Sequence, residues 1–329
     1  MTVSRRQFIQ ASAAAGGALG GFPLPAWSQS LESAKVVIGF APGGTVDTAG
    51  RRVAEKLAPG YARTAIAENK TGAGGQIAVQ AVKAAPPDGS TLLITPTSPV
   101  SLHLFTYRKL PYDPVADLTP VSGAASFDYA LAVGPKVPAD VRTVPEFLAW
   151  CKANPADANF GSPGSGSAPH FLGSGLAKAS QVDLRHIAFR GSQPAIVDML
   201  GGQIAAVVGP TGEFMPNVQA GKLRLLGTSG TRRSRFTPEV ATFVEQGFRD
   251  IGYTGWFGFY APAKTPSDIV QRANAAIRAA LAAPETVNSY ATFFMEPMPA
   301  APEQLAAMLR TETNFWNSLV KTVGFTPEG

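Results

Sequence analysis

The sequence predicts an α/β fold in two domains, on three observations. From residue 35 onward, short apolar runs suited to buried strands alternate with runs of helical spacing, the pattern of a sheet covered by helices. Glycine-rich turns separate the two kinds of run. A chain of 329 residues, 45% hydrophobic and only 16% charged, has the apolar surface for a sizeable core and the length for two domains rather than one.

The first unit sets the pattern. Residues 35–40 carry Val36, Val37 and Ile38, and the turn Phe40-Ala41-Pro42-Gly43-Gly44-Thr45-Val46-Asp47 follows. Asp47 is placed to cap a helix whose apolar face reads Ala49, Val53 and Leu57, with Pro59-Gly60 as its stop. A glycine pair between a strand and a helix leaves backbone N–H groups unpaired at the positive end of the helix dipole, where small anions bind. Residues 40–47 are therefore the first candidate ligand contact.

Residues 63–67 form a second strand candidate, and Gly72-Ala73-Gly74-Gly75 opens a helix through Ile77, Ala81 and Ala84. As a dinucleotide fingerprint this loop fails, because its third glycine is misplaced and no ribose-binding acid follows at the right spacing; the glycines read as tight-turn residues. Pro86-Pro87-Asp88-Gly89 turns into a third strand at 90–95, which runs into Thr95-Pro96-Thr97-Ser98-Pro99. Ligands of open α/β sheets gather at the C-terminal ends of strands, so Thr97 and Ser98 become candidates beside the plain-turn reading. A rigid loop at 110–114 and a strand at 129–134 come next.

Thr143-Val144-Pro145-Glu146 is a capping box with proline in the first turn, starting a helix that ends at Asn154-Pro155. A short strand at 158–160 then feeds Gly161-Ser162-Pro163-Gly164-Ser165-Gly166-Ser167, and a helical pattern starts at about Ala168. This loop repeats the physics of the first turn, with three hydroxyls added. His170, in the first turn, reads equally as a packed or a ligand-touching residue. A strand at 184–189 leads through Phe189-Arg190-Gly191 into a helix ending at Gly201-Gly202. Arg190 is a candidate bidentate partner for a carboxylate, or a solvent-paired arginine. A strand at 204–208, a helix ending at Gly221 and a strand at 223–226 bring the chain to Gly227-Thr228-Ser229-Gly230, a small-residue stretch suited to an interdomain crossing. The last hundred residues hold a strand at 256–260, a helix with Ile269, Ala273, Ile277 and Leu281 on one face, and a final helix from about Pro302. Its Leu305, Leu309, Trp316 and Leu319 read as core.

Composition excludes several classes. The formal net charge is +5, of which Arg5 and Arg6 carry two, and the remaining excess is too mild and scattered for a nucleic-acid surface. The one basic cluster, Arg232-Arg233-Ser234-Arg235, reads as a solvated loop. A single cysteine, Cys151, excludes an internal disulfide and reads as a packed thiol. His103, His170 and His186 fall in no metal-binding spacing, so neither a metal nor a cofactor is expected. No serine stands in a G-x-S-x-G elbow, which weighs against a hydrolase.

Residues 1–28 read as an export signal. Ser4-Arg5-Arg6-Gln7-Phe8-Ile9 matches the twin-arginine pattern, a mildly apolar Gly/Ala-rich stretch follows, and Ala26-Trp27-Ser28 approximates a small-x-small cleavage site. The expectation is a periplasmic protein.

Taken together, Phe40-Ala41-Pro42-Gly43-Gly44 with Asp47, Gly72-Ala73-Gly74-Gly75, Pro87-Asp88-Gly89-Ser90, Leu110-Pro111-Tyr112-Asp113-Pro114, Asn159-Phe160-Gly161-Ser162 with Gly164 and His170, Asp198-Met199-Leu200-Gly201-Gly202-Gln203, Ala220-Gly221-Lys222-Leu223-Arg224 and Trp256 with Ala261-Pro262 occur in an order and spacing that is specific. Almost the whole chain after the signal resembles the extracytoplasmic solute-binding proteins of the tripartite tricarboxylate transporter family, the Bug proteins. The resemblance implies a two-lobed, periplasmic-binding-protein-like α/β fold of the type II Venus flytrap kind, with residues 29–125 and 229–329 as one lobe and 126–228 as the other. It implies a monomer that closes on a small organic carboxylate and delivers it to membrane permease subunits, with a ligand-sensing subunit of a membrane receptor as the alternative. It also implies that the carboxylate is held largely by backbone N–H groups and waters. On these positions Phe40, Ala41, Gly43, Gly44, Thr45 and Asp47 come from one lobe and Ser162, Gly164, Ser165, Gly166 and Ser167 from the other, with Thr97, Ser98, Phe189 and Arg190 lining the rest. Two departures stand out. Val208-Gly209-Pro210 replaces a pattern that carries an acid, so an acidic cleft residue is expected to be missing, and Ser174 stands where a glutamate is usual.

Overall fold

The computed structural model describes residues 31–327. The expected signal and its cleavage site lie outside them. In chain order the elements are β1 (Leu31–Ile38), α1 (Thr45–Leu57), β2 (Ala62–Asn69), α2 (Gln76–Lys83), β3 (Thr91–Pro96), α3 (His103–Thr106), β4 (Leu118–Val133), α4 (Val144–Ala153), β5 (Asn159–Ser162), α5 (Ala168–Ala179), β6 (Arg185–Ala188), α6 (Ser192–Leu200), β7 (Ala206–Pro210), α7 (Thr211–Gln219), β8 (Arg224–Thr228), β9 (Thr254–Pro262), α8 (Ser267–Ala282), α9 (Pro284–Thr292), β10 (Glu296–Pro297) and α10 (Pro302–Val323).

The strands join in the order β2-β1-β3-β9-β4-β7-β5-β6, with β10 and β8 also paired to β4. β4 belongs to both halves of this sheet. Its first part, from Leu118 to Asp128, runs antiparallel to β9, and its end, from Tyr129 to Val133, runs antiparallel to β7 and β8. Parallel pairs lie outward on each side, β1 with β2 and β3 in one half and β5 with β6 and β7 in the other. Parallel strands need crossover helices, and the alternating sequence pattern supplies them.

Local sequence accounts for most elements. Val36, Val37 and Ile38 are fully buried in β1, and α1 turns Ala49, Val53 and Leu57 onto the sheet. Gly50 lets it approach, because a Cβ there would stand 2.7 Å from Ile94 Cγ2. The capping box forms as expected, with Glu146 N–H donating to Thr143 Oγ1 at 3.3 Å and Thr143 N–H to Glu146 Oε2 at 3.0 Å. Cys151 is buried and its thiol is pushed up to about 12 by desolvation, as befits a packing residue.

Two expectations need correction. The strand read at 129–134 is the end of β4, which begins eleven residues earlier, at Leu118. Pro120, Gly123 and the small residues around them hide its first part, and the ladder there shifts register between Pro120 and Ser122 and again between Gly123 and Ala125. A Cβ on Gly123 would lie 2.2 Å from Met298 O, so the glycine serves close approach of backbone. The cap of α1 is Gly44, and Asp47 sits in the first turn with its carboxylate reaching back to Gly43 N–H at 3.0 Å.

Near the junction of the two sheet halves, Ser229 ties Tyr129 to Tyr253. Its N–H donates to Tyr129 O at 2.8 Å and its carbonyl accepts from Tyr253 N–H at 2.6 Å. Its Oγ accepts from Tyr129 N–H at 3.0 Å and donates to Tyr253 O at 2.6 Å. A Cβ on neighbouring Gly230 would meet Asp128 Oδ2 at 2.6 Å, which leaves room for little besides glycine.

Candidate ligand-binding site

Four helices begin at one cleft. α1, α5, α6 and α7 have Gly44, Ser167, Gly191 and Pro210 as N-caps, and none of these caps closes its helix with a side-chain hydrogen bond. Each helix follows the C-terminal end of a strand, which is where the turn chemistry of this fold places its open backbone donors. Four positive dipole ends therefore face one another from both halves of the sheet.

Between them lies a cavity of about 100 Å³, with Thr45, Ser98, Ser167, Arg190, Ser192, Gln193 and Glu213 as its polar lining and Phe127, Tyr129, Pro169, Pro210 and Phe257 among its apolar walls. Phe40, Ala41, Gly74, Gly164 and Arg190 are shared with an adjoining pocket of about 590 Å³, which adds Ser165 and Phe189.

The acid that sequence reasoning expected to be missing is replaced from a different position. Glu213, on the first turn of α7, accepts at Oε1 from Thr45 N–H at 3.2 Å and from Thr45 Oγ1 at 3.1 Å. Ser192 hydrogen-bonds it from the start of α6, and burial pushes its pKa up. The residue is half-buried and lines the cavity. No spacing rule could have found it, since its partner is 168 positions away. Beside it, Gly212 lets the start of α7 lie against the backbone at Phe293, where a Cβ would stand 2.0 Å from Phe293 O.

A second bond crosses the cleft in the opposite sense, with Ser98 Oγ accepting from Ala168 N–H at 3.1 Å. Each of the two glycine-loop helices, α1 and α5, thus has a first-turn amide bonded by a side chain from beyond its own unit.

The structure brings Phe40, Ala41, Gly44, Thr45, Ser98, Gly164, Ser167 and Arg190 to the first cavity and Ser165 and Phe189 to the adjoining pocket. The other expected contacts line neither. Gly43 forms the turn at φ 86°. Asp47 is buried and engaged with Arg51 at 2.8 Å and Asn69 at 2.8 Å; burial pushes its carboxyl up, but these bonds and the one from Gly43 outweigh that and hold its pKa low. Thr97 bonds the Tyr253 hydroxyl at 3.1 Å. Ser162 is fully buried beneath the loop and bonds His186 Nε2 at 2.7 Å. Gly166 sits at φ 69° with its N–H donating to His170 Nδ1 at 3.2 Å. Ser174, the other departure, is half-buried on α5 and lines neither pocket.

His170 is therefore a support of the loop. Its ring stacks on His186 with centroids 3.6 Å apart, and burial pushes the two imidazoles down to about 4 and about 3 respectively, so both are neutral at ordinary pH. His103 packs beneath Gly74 and is likewise pushed down, to about 3. Arg233 and Arg235 pair with Glu245 and Glu296 on the surface. Among the described residues no group of acidic, histidine and cysteine side chains could hold a metal ion.

A family model described as "Tripartite tricarboxylate transporter family receptor" matches residues 49–325. The chain belongs to that family, the Bug proteins. It is 34% identical over 330 residues to the UPF0065 protein in the gbd 5' region of Cupriavidus necator, covering 98% of each chain, and 29% identical over 303 residues to BugT of Bordetella pertussis, covering 92% of each. Among solved structures it is similar to R. palustris Rpa4515 with adipate, at 25% identity, a TM-score of 0.85 and coverage of 92% of this chain and 100% of that one. It is also similar to MatC from Rhodopseudomonas palustris with bound malate, at 26% identity, a TM-score of 0.81 and coverage of 88% and 98%. The fold is thus the two-lobed α/β fold of periplasmic binding proteins, and this Bug-family receptor is a solute-binding protein, not an enzyme.

Proposed function

We propose that this receptor captures a small organic carboxylate in the cleft and delivers it to the membrane permease of a tripartite tricarboxylate transporter. The observation that carries this reading is the convergence of four helix N-termini, none with a side-chain-bonded cap, on a single cavity. Such an arrangement offers several N–H donors to one anion, with Arg190 beside them. The adipate and malate bound by the two similar structures are acids of the same class. Capture works by closure of the lobe of residues 29–125 and 229–329 on that of 126–228, because only a ligand that touches both lobes stabilises the closed arrangement. Two or three charge-assisted hydrogen bonds at roughly 1.5–3 kcal/mol each support about micromolar affinity.

Export through the twin-arginine route, read from Arg5 and Arg6, places the receptor in the periplasm with its permease partner. The test is a thermal-shift screen of the chain from residue 29 against a carboxylate panel, followed by calorimetry on each hit. A carboxylate that raises the melting temperature in a saturable way supports the reading; a panel without any such acid refutes it.

A further inference from the structure

The cleft already contains a carboxyl of its own, and its position has consequences for the ligand. Glu213 Oε1 takes both the amide and the hydroxyl of Thr45, at 3.2 and 3.1 Å, and so sits where an anion at the start of α1 would sit. A Cβ placed on Gly44 would touch the same oxygen at 3.4 Å, which locates the carboxyl against the glycine turn itself. Ser192 holds it from a second helix, so it is built into the site and not a side chain swinging past it. Among the described residues Glu213 is the one acid in the cavity's lining, where Ser167, Arg190 and Gln193 are also polar and Phe127, Tyr129, Pro210 and Phe257 supply apolar wall.

We infer that Glu213 is the specificity-determining residue of this receptor: it takes the place of a second ligand carboxylate, so the cleft accepts acids with one carboxylate and an apolar body and rejects the matching diacids. This rests on the carboxylate-receptor reading above and narrows it. The physical reason is that two carboxylates forced against one another in a poorly hydrated cleft repel strongly, while a methyl or ring edge in the same position packs against the proline and aromatic walls. A ligand carboxylate remains served by the start of α6, whose Gly191 cap makes no side-chain bond, and by Arg190.

Three six-carbon probes and two variants decide it. Hexanoate, adipate and 6-aminohexanoate are titrated by calorimetry into the wild type, Glu213→Gln and Glu213→Ala, each first checked for a cooperative melting transition. Wild type is expected to bind hexanoate at least about tenfold tighter than adipate, the discrimination typical of a like-charge clash. Glu213→Ala, which vacates the position, should bring adipate level with hexanoate or ahead of it. Glu213→Gln, which fills the position without charge and preserves the bonds to Thr45, should relieve only part of the preference. Adipate binding to wild type as tightly as hexanoate overturns the inference, and so does an unchanged ratio in Glu213→Ala. 6-Aminohexanoate outbinding hexanoate in the wild type also overturns it, because Glu213 would then be a partner for an ammonium group. If no probe binds any of the three proteins while another carboxylate from the wider panel does, the apolar-monoacid assignment falls but the receptor reading stands; if no carboxylate of any kind binds, both fall.

Discussion

Ser98 Oγ lies 3.1 Å from the amide nitrogen of Ala168, so a side chain at the end of one strand unit bonds the first-turn amide of a helix in the other half of the sheet. The contact exists only when the two halves are close, which makes it a direct handle on closure. Ser98→Ala is expected to weaken carboxylate binding several-fold, in line with about 0.5–1.5 kcal/mol for one net hydrogen bond, with little change in the melting temperature of the free protein. Calorimetry and a melting curve on the same preparation check both halves of the statement.

Gly212 should be intolerant of any side chain. With a Cβ 2.0 Å from Phe293 O, Gly212→Ala must push α7 away from the chain at Phe293 and carry Glu213 off Thr45. Backbone on the far side cannot give as a flexible side chain would, so a loss of about 1–3 kcal/mol is expected, measurable by urea unfolding. An alanine variant with wild-type stability would contradict the observed approach.

Glu312 anchors α10 by accepting from three buried donors: Trp256 Nε1 at 2.6 Å, Trp316 Nε1 at 2.8 Å and the Tyr253 hydroxyl. Glu312→Gln is not conservative here, because its amide presents N–H groups where two indoles and a phenol all need an acceptor. Both Glu312→Gln and Glu312→Ala are expected to cost about 3 kcal/mol or more, since each orphaned buried donor costs about 1–3 kcal/mol. Chemical unfolding would reveal it.

Asp128 gives a pH dependence of known sign. Burial, with a smaller contribution from Glu296 and opposed by the Thr254 hydrogen bond, pushes its carboxyl up from 3.8 to about 6. The folded state therefore holds this proton more tightly than the unfolded state. Its contribution is fully present below pH 3.8 and is lost as pH rises through about 6. Asp128→Asn should melt higher than wild type above pH 6 and match it near pH 3.5, with a difference at neutral pH of about 1–3 kcal/mol at about 1.4 kcal/mol per pKa unit. Melting curves from pH 3.5 to 8 in constant ionic strength test the crossover.

Gly164 lines the cavity, a Cβ there meets nothing within 4 Å and its backbone has ordinary φ, so Gly164→Val is expected to fold and to lose ligand-induced stabilisation. Gly43 also has open space around it, but its φ of 86° disfavours any branched side chain, so Gly43→Val adds backbone strain of about 1–3 kcal/mol. A thermal-shift comparison of the two variants separates strain from lost binding.

The sequence by itself determined what is local. A strand run of Val36, Val37 and Ile38, the Thr143 and Glu146 capping box and the glycine turns at 41–44 and 161–167 each encode their structure within a few residues, because apolar period, cap chemistry and φ preference act at short range. The family likewise was legible in the order of its short motifs. Tertiary structure alone decided which of those turns share a cavity, which expected contacts (Asp47, Thr97, Ser162) are spent on internal hydrogen bonds, and that Glu213 restores an acid to a cleft expected to lack it. Those outcomes depend on pairs separated by up to 168 positions, and on backbone approaches such as Gly212 to Phe293 that leave no periodic trace in the chain. Local chemistry supplied the helix starts, and long-range packing chose what stands between them.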